Sequence, residues 1–185
     1  MKHPITILNN LNDIVIEMNA SSKSFSNATP LSSDASLFCE GKATIQPFVT
    51  FDGPIFLGEN VVIGPYTFLR GPLYIGQGTQ IGPYCEITRS FIKNDVKICH
   101  KNIIPDSVIG NKVILSGGVI LCNFRLDGKE IELIYNNVRK TTDKFGAIIE
   151  DEAHLGVNVV AMPGCHIKSK SFILGPSVIK GVVCE

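Results

Sequence analysis

Few side chains in this 185-residue chain can move a proton at neutral pH, and their spacing limits what they do. An imidazole titrates at about 6.5, so at pH 7 it can accept a proton from a reacting group. Four are present: His3, His100, His154 and His166. A catalytic zinc centre needs three converging ligands. His3 lies in the N-terminal tail, no histidine pair flanks His100, and His154 and His166 are two hexapeptides apart, so no metal site is expected. The six cysteines include no Cys-x-x-Cys pair, which argues against a disulfide framework and for a reducing compartment. Lys168, Lys170 and Lys180 read as a solvated basic rim near the C-terminus.

The elements that would position these groups are set by an apolar period of six. Cys39, Ile45, Phe51, Leu57, Ile63, Leu69, Ile75, Ile81 and Ile87 are all apolar. Four positions after each come Ala43, Val49, Ile55, Val61, Thr67, Leu73, Thr79, Cys85 and Phe91, nearly all small or apolar. Six matches neither an isolated helix nor a simple alternating strand. It is the hexapeptide period of a parallel β-helix, in which three short strands and three corners close a triangular coil of about 18 residues. Stacked Ile, Leu and Val then fill the interior, so a ligand site must lie outside, at a corner or between copies.

Residues Ile5 to Met18 read as one short amphipathic helix, with Ile5, Leu8, Leu11, Ile14 and Ile16 on one side. Ser21 to Ser36, rich in Ser, Asn, Asp and Pro, reads as a surface linker. The domain organisation is therefore a helix and linker over 1–36 and a β-helix over 37–185. The sixfold register slips by one at Ile92 and Ile98 and resumes as Ile103, Ile109, Leu115 and Leu121. It breaks from Cys122 to Ala147, a stretch read as a loop thrown out of the coil and carrying Arg125, Lys129, Arg139, Lys140 and Lys144. Repeats return at Ile149, Leu155, Ala161 and Ile167.

The charge balance excludes some partners. Lys plus Arg and Asp plus Glu each number 17, which argues against a dedicated nucleic-acid binder, since that would need a basic face. No apolar run nears the roughly 18 residues of a membrane span. Met1-Lys2-His3-Pro4 leads into mixed polar and apolar residues and does not read as a signal peptide, so a cytoplasmic location is expected.

From Gly82-Pro83-Tyr84-Cys85-Glu86-Ile87 through His100-Lys101-Asn102-Ile103, Asp106-Ser107-Val108-Ile109-Gly110 and Gly117-Gly118-Val119-Ile120-Leu121-Cys122-Asn123 to Lys144-Phe145-Gly146-Ala147, the chain resembles a known family. It is similar to the acyltransferase half of bifunctional sugar-1-phosphate nucleotidylyltransferase/acetyltransferases. The resemblance covers about residues 37–183. It implies a single-stranded left-handed β-helix that packs as a homotrimer and acetylates the amine of a small-molecule sugar phosphate such as glucosamine-1-phosphate, with acetyl-CoA as co-substrate. By this resemblance His100 is the general base, Glu86 the carboxylate that orients it, and Asn123 the residue that holds the amine or acetyl group. Arg70, Arg89 and Lys144 would bind the sugar phosphate, and Lys168, Lys170 and Lys180 the phosphates of coenzyme A. No nucleotidyl-transfer motif precedes the repeats.

The implied chemistry is coherent. An amine at neutral pH is mostly ammonium and attacks a thioester only as a base removes its proton. A carboxylate on the other ring nitrogen would fix the tautomer, and a backbone N–H at a coil corner would stabilise the oxyanion. The chain departs from the family at Thr88, Ile103, Pro105 and Ile114. Ile103 and Ile114 favour an alternative, a non-catalytic scaffold or sugar-nucleotide-binding module.

Overall fold

In the computed structural model, residues 2–18 and 26–184 are described. Three parallel sheets wind around one apolar interior. The first face has eight strands, from Ala28–Pro30 through Glu86–Thr88, Ile103–Pro105 and Ile120–Leu121 to Ser177–Ile179. The second also has eight, from Ser36–Cys39 through Phe91–Ile92 and Val108–Ile109 to Val182–Val183. The third has seven, from Thr44–Ile45 through Lys97–Ile98 and Ile114–Leu115 to Phe172–Ile173. Each coil strand pairs with its equivalent one coil away, and strand N–H groups donate to carbonyls of the next turn, as Phe68 does to Cys85 at 2.9 Å. The sixfold apolar positions point inward: Leu57, Ile63, Leu69, Ile75 and Ile87 are fully buried. Cys39, Cys85 and Cys165 lie in the same core, where burial pushes the Cys165 thiol up to about 11.

Three expectations are corrected by the register. Leu69 pairs with Ile87, eighteen residues on, whereas Ile87 pairs with Ile104, seventeen on. The missing residue is lost at the corner between the first and second faces. Ser90 therefore takes the inward corner place expected for Phe91, and Phe91 turns outward. Ile104, not Ile103, fills the core, and Ile103 is 40% exposed. The coil also begins earlier than residue 37, because Ala28–Pro30 pairs with Val49–Phe51. Of the expected linker, residues 21–25 lie outside the described residues.

The N-terminal segment forms two helices, not one: α1 (Pro4–Asn9) and α2 (Leu11–Glu17), separated at Asn10. The segment expected as a loop contains an antiparallel hairpin, Ile131–Tyr135 paired with Val138–Thr142. Its turn is Asn136-Asn137, both in left-handed backbone at φ 51° and 60°, the geometry a two-residue hairpin prefers. Helices and hairpin together cover the second face. Ile5, Leu8, Leu11 and Val15 pack with Ile131 and Leu133 over Phe56, Val108, Phe145 and Ile148. Phe56, Tyr74 and Phe91 stack beneath them, ring centroids 5.1 and 4.5 Å apart. This is the strand spacing of the sheet.

At the lower end of this face His166 is 5% exposed, with Nε2 2.7 Å from Glu150 Oε1. Lys168 Nζ donates to the same oxygen at 3.0 Å. Burial depresses the His166 pKa. The Glu150 carboxylate opposes this, and the Lys168 ammonium adds to it. The unfolded chain therefore takes up this proton first, so the stabilisation is present at neutral pH and is lost as pH falls below the ordinary value of about 6.5. Chemical denaturation between pH 7.5 and 5.5 is expected to show stability falling with pH, and His166→Gln is expected to flatten that slope.

Candidate functional site

His100 lies at the corner where the chain passes from the third face to the first, between Lys97–Ile98 and Ile103–Pro105. It is exposed. Its corner is held from below by Asn102, which is fully buried. The Asn102 Nδ2 donates to the carbonyls of Cys99 at 2.9 Å and His100 at 3.3 Å, and its Oδ1 accepts from Val119 N–H at 2.9 Å. That closed set of bonds fixes the backbone carrying the imidazole. The ring lies against Gly117 of the next coil: a Cβ added there would sit 2.6 Å from His100 Nε2. Glycine at 117 thus gives the imidazole its seat, and the Gly118 N–H donates to the His100 carbonyl at 3.0 Å.

Beside His100 runs a stack that the sequence reading did not single out. Phe48, Tyr66 and Tyr84 are 64%, 51% and 58% exposed. Their rings stack at 4.8 and 5.1 Å, and all three residues have left-handed backbone. The signal was in the sequence: Pro47-Phe48, Pro65-Tyr66 and Pro83-Tyr84 recur every eighteen residues. Lys101 takes the same left-handed corner place in the next coil.

Glu86 is exposed on the first face, paired in register with Phe68 and Ile103. Among the described residues it makes no hydrogen bond or ion pair with His100, so the expected carboxylate–imidazole couple is not formed within the chain.

A second polar group occupies the opposite rim of the same face, where the first face turns into the second. In that coil the three-residue strand Ile103–Pro105 separates the two rims, on the order of 10 Å. Asp106, given no role from sequence, is its centre. It is 5% exposed and accepts from both Arg89 Nε and Asn123 Nδ2. The Arg89 NH2 group reaches the Lys144 carbonyl at 3.4 Å. Arg89, Asn123 and Lys144 are thus brought together around Asp106, Lys144 through its main chain. Arg70, one coil above on the same rim, is exposed, and its carbonyl accepts from the Arg89 N–H at 2.9 Å.

Below this rim the inserted segment overhangs a groove of about 890 Å³ lined by Cys122, Phe124, Arg125, Asp127, Met162, Pro163 and Lys180. The Arg125–Asp127 pair, 2.6 Å apart, holds the Asp127 carboxyl near 2. The three lysines expected to act together are divided. Lys180 lines the groove, whereas Lys168 is bonded to Glu150 and Lys170 donates its backbone N–H to Asp151 at the corner between the second and third faces. Lys168 and Lys170 lie where the second face turns into the third, and Lys180 where the first turns into the second, so different corners of the triangle hold them apart. Among the described residues no group of three or more His, Cys, Asp or Glu is placed to hold a metal ion.

Residues 54–89 match the family described as bacterial transferase hexapeptide (six repeats). Over 89 residues, 48% of this chain, the sequence is 35% identical to the "Bifunctional protein GlmU" of Methanococcus vannielii and covers 22% of that protein. Over 96 residues, 51% of this chain, it is 31% identical to the "Bifunctional sugar-1-phosphate nucleotidylyltransferase/acetyltransferase" of Sulfurisphaera tokodaii and covers 24% of it. The matched region thus spans about a quarter of these relatives' length. A hexapeptide transferase family protein from Anaplasma phagocytophilum is 16% identical, with 84% of this chain and 78% of that one aligned and a TM-score of 0.34.

Gly117→Ala is expected to leave the melting transition in place, because residue 117 does not need left-handed backbone, but to displace the imidazole. The measurement is the His100 ring proton resonances. An unchanged His100 spectrum would show that the ring does not rest on Gly117.

Proposed function

We propose, from the premise that this chain carries the hexapeptide-repeat domain of the bacterial transferases, that it is an acyl-CoA-dependent acyltransferase. The substrates proposed are acetyl-CoA and the amine of a sugar phosphate such as glucosamine-1-phosphate. The observation that carries the reading is the exposed His100 imidazole, seated on Gly117 at a corner whose backbone is pinned by Asn102.

In this reading the amine nitrogen attacks the thioester carbonyl carbon while His100 takes the amine proton. The new C–N bond forms as the C–S bond breaks, and the imidazolium returns its proton to the departing thiolate. The oxyanion formed in between would be met by a backbone N–H of the glycine corner, with Gly117 the donor beside the ring. Asn123 would hold the amine or acetyl group. Arg70, with its exposed guanidinium, and Lys144 would meet the sugar phosphate. The groove under the insert, with Lys180 at its wall, offers a place for the extended acyl carrier.

A homotrimer is proposed because only two faces are open. Helices and hairpin cover the second face, so neighbouring copies would pack through the first and third, whose shared corner bears His100 and the Phe48–Tyr66–Tyr84 stack. A carboxylate that meets His100 would then come from across the interface. The alternative, a non-catalytic scaffold or sugar-nucleotide-binding module, is favoured by two observations: Ile103 is on the surface beside His100, and Glu86 does not bond His100.

The test is a free-thiol assay of coenzyme A release from acetyl-CoA against a panel of amino-sugar phosphates. His100→Ala is expected to keep the fold and lower the rate roughly 10²–10⁴-fold. Equal rates in mutant and parent would remove His100 from the mechanism, and a parent that binds no acetyl-CoA would support the scaffold.

A further inference from the structure

We propose that Asp106 is a positioning residue that latches both feet of the 123–146 insert to the coil and turns the Asn123 amide oxygen toward a ligand. The role assigned to Asn123 rests on the transferase reading, whereas the latch itself does not.

The chain leaves the coil at Asn123 and returns at Lys144–Gly146, and Asp106 touches both. Its two carboxylate oxygens divide the work: Oδ1 accepts from Arg89 Nε and Oδ2 from Asn123 Nδ2. Arg89 then spans to the returning strand through its NH2 group, bonded to the Lys144 carbonyl at 3.4 Å. The main chain repeats the pattern. The Gly146 N–H donates to the Asp106 carbonyl at 2.9 Å, and the Phe145 N–H to the Asn123 carbonyl at 3.0 Å. Gly146 itself approaches so closely that a Cβ would sit 2.2 Å from Ser107 Oγ.

The corner is built to hold this contact. Arg89 and Asp106 both have left-handed backbone, φ 41° and 48°. That is unfavourable for Arg and more tolerable for Asp. The coil is one residue shorter here than in the turns above. The shortened corner is tied by serines: Ser90 Oγ donates to Thr88 O and accepts from Ser107 N–H at 3.1 Å, and Ser107 Oγ accepts from Ala147 N–H at 3.1 Å. The side chain of Asp106 is 7% exposed and that of Arg89 35%. A nearly buried carboxylate of this kind requires its partners, so it orders them.

Two chemical consequences follow. A carboxylate only accepts, so the end of Asn123 facing Asp106 is the NH2 group, and Oδ1 is left for a ligand N–H or O–H. The Arg89 guanidinium has its Nε and one NH2 committed within the protein, which makes Arg89 part of the latch and leaves phosphate recognition to Arg70 and Lys144.

The experiment compares the full chain with Asp106→Asn, and with Arg89→Gln, which cuts the same link from the solvent side should the first variant fold poorly. Trypsin cleavage after Arg125 or Lys129, in the insert, reads latch opening without any assumption about activity. Cleavage is expected to accelerate about tenfold or more in each variant, with the melting transition of the coil retained. The swap Asp106→Asn with Asn123→Asp, which restores an amide–carboxylate contact, is expected to recover part of that resistance. Cleavage within twofold of the parent in both single variants would overturn the proposal, even in a parent that transfers acetyl groups. In an active parent, Asp106→Asn is expected to lower kcat with a smaller change in KM for acetyl-CoA. An unchanged kcat beside accelerated cleavage would overturn the Asn123 half and leave the latch.

Discussion

Each strand residue of the coil stacks directly on its equivalent in the next coil, about 4.8 Å above or below; the equivalent is 17 or 18 residues away in most turns, 21 in the first and 40 across the insert, and this one constraint governs the molecule. A column of similar, mostly apolar side chains makes the interior self-consistent. It also means that a uniform coil has no site. Chemistry must be written where a column is interrupted: where a glycine removes a side chain beneath an imidazole, where a corner loses a residue, or where the chain departs from the coil and returns. His100 over Gly117 is the first kind. Asp106 is the second and third together.

The inward columns were legible because a period of six in apolar residues admits few architectures, and Leu57, Leu69 and Ile87 lie where that period puts them. What escaped was local to the shortened corners. Phe91 and Ile103 are as apolar as the residues beside them, so pattern alone cannot say which of two adjacent positions points inward. That is decided by whether Ser90 and Ser107 can satisfy a tighter corner through hydrogen bonds. The hairpin carried a readable signal, alternation at Ile131, Leu133 and Tyr135 followed by Asn136-Asn137, that surrounding charge obscured. His100 and Asn123 stood out only through resemblance, and the absence of a Glu86–His100 bond is a matter of side-chain reach that spacing does not encode.

The helices and hairpin solve a problem the bare coil would have. The outward residues of the second face, Phe56, Tyr74, Phe91, Val108 and Ile148, form an apolar surface along the prism. Exposed, such a patch would favour association. Covering it in cis uses the insert twice, as a lid over apolar surface and as the segment whose feet frame Asn123. The two covering pieces are also joined to each other: Lys140 Nζ donates to Thr6 Oγ1 at 2.6 Å, and His3 meets Tyr135 edge-on at 6.1 Å. His3 caps α1 by accepting from the Ile5 N–H. The burial and the nearby Lys140 that depress its pKa therefore act at the seam between α1 and the hairpin.

This coupling bears on why the insert can be both exposed and ordered. Leu126 at its tip is 99% exposed, and a segment so open gains little from burial of its own. Its order must come from its ends. At one end the hairpin packs under α1 with Ile131 and Leu133 almost fully buried. At the other, the Asp106 carboxylate and the Arg89 guanidinium hold the two feet. Between these anchors the chain from Phe124 to Glu130 is tied to itself, by the Arg125–Asp127 pair and by the Lys129 N–H, which donates to Asp127 Oδ1 at 3.3 Å. The physical logic of the candidate site is therefore an imidazole corner pinned by Asn102 and a rim tethered by Asp106, with the coil setting the distance between them.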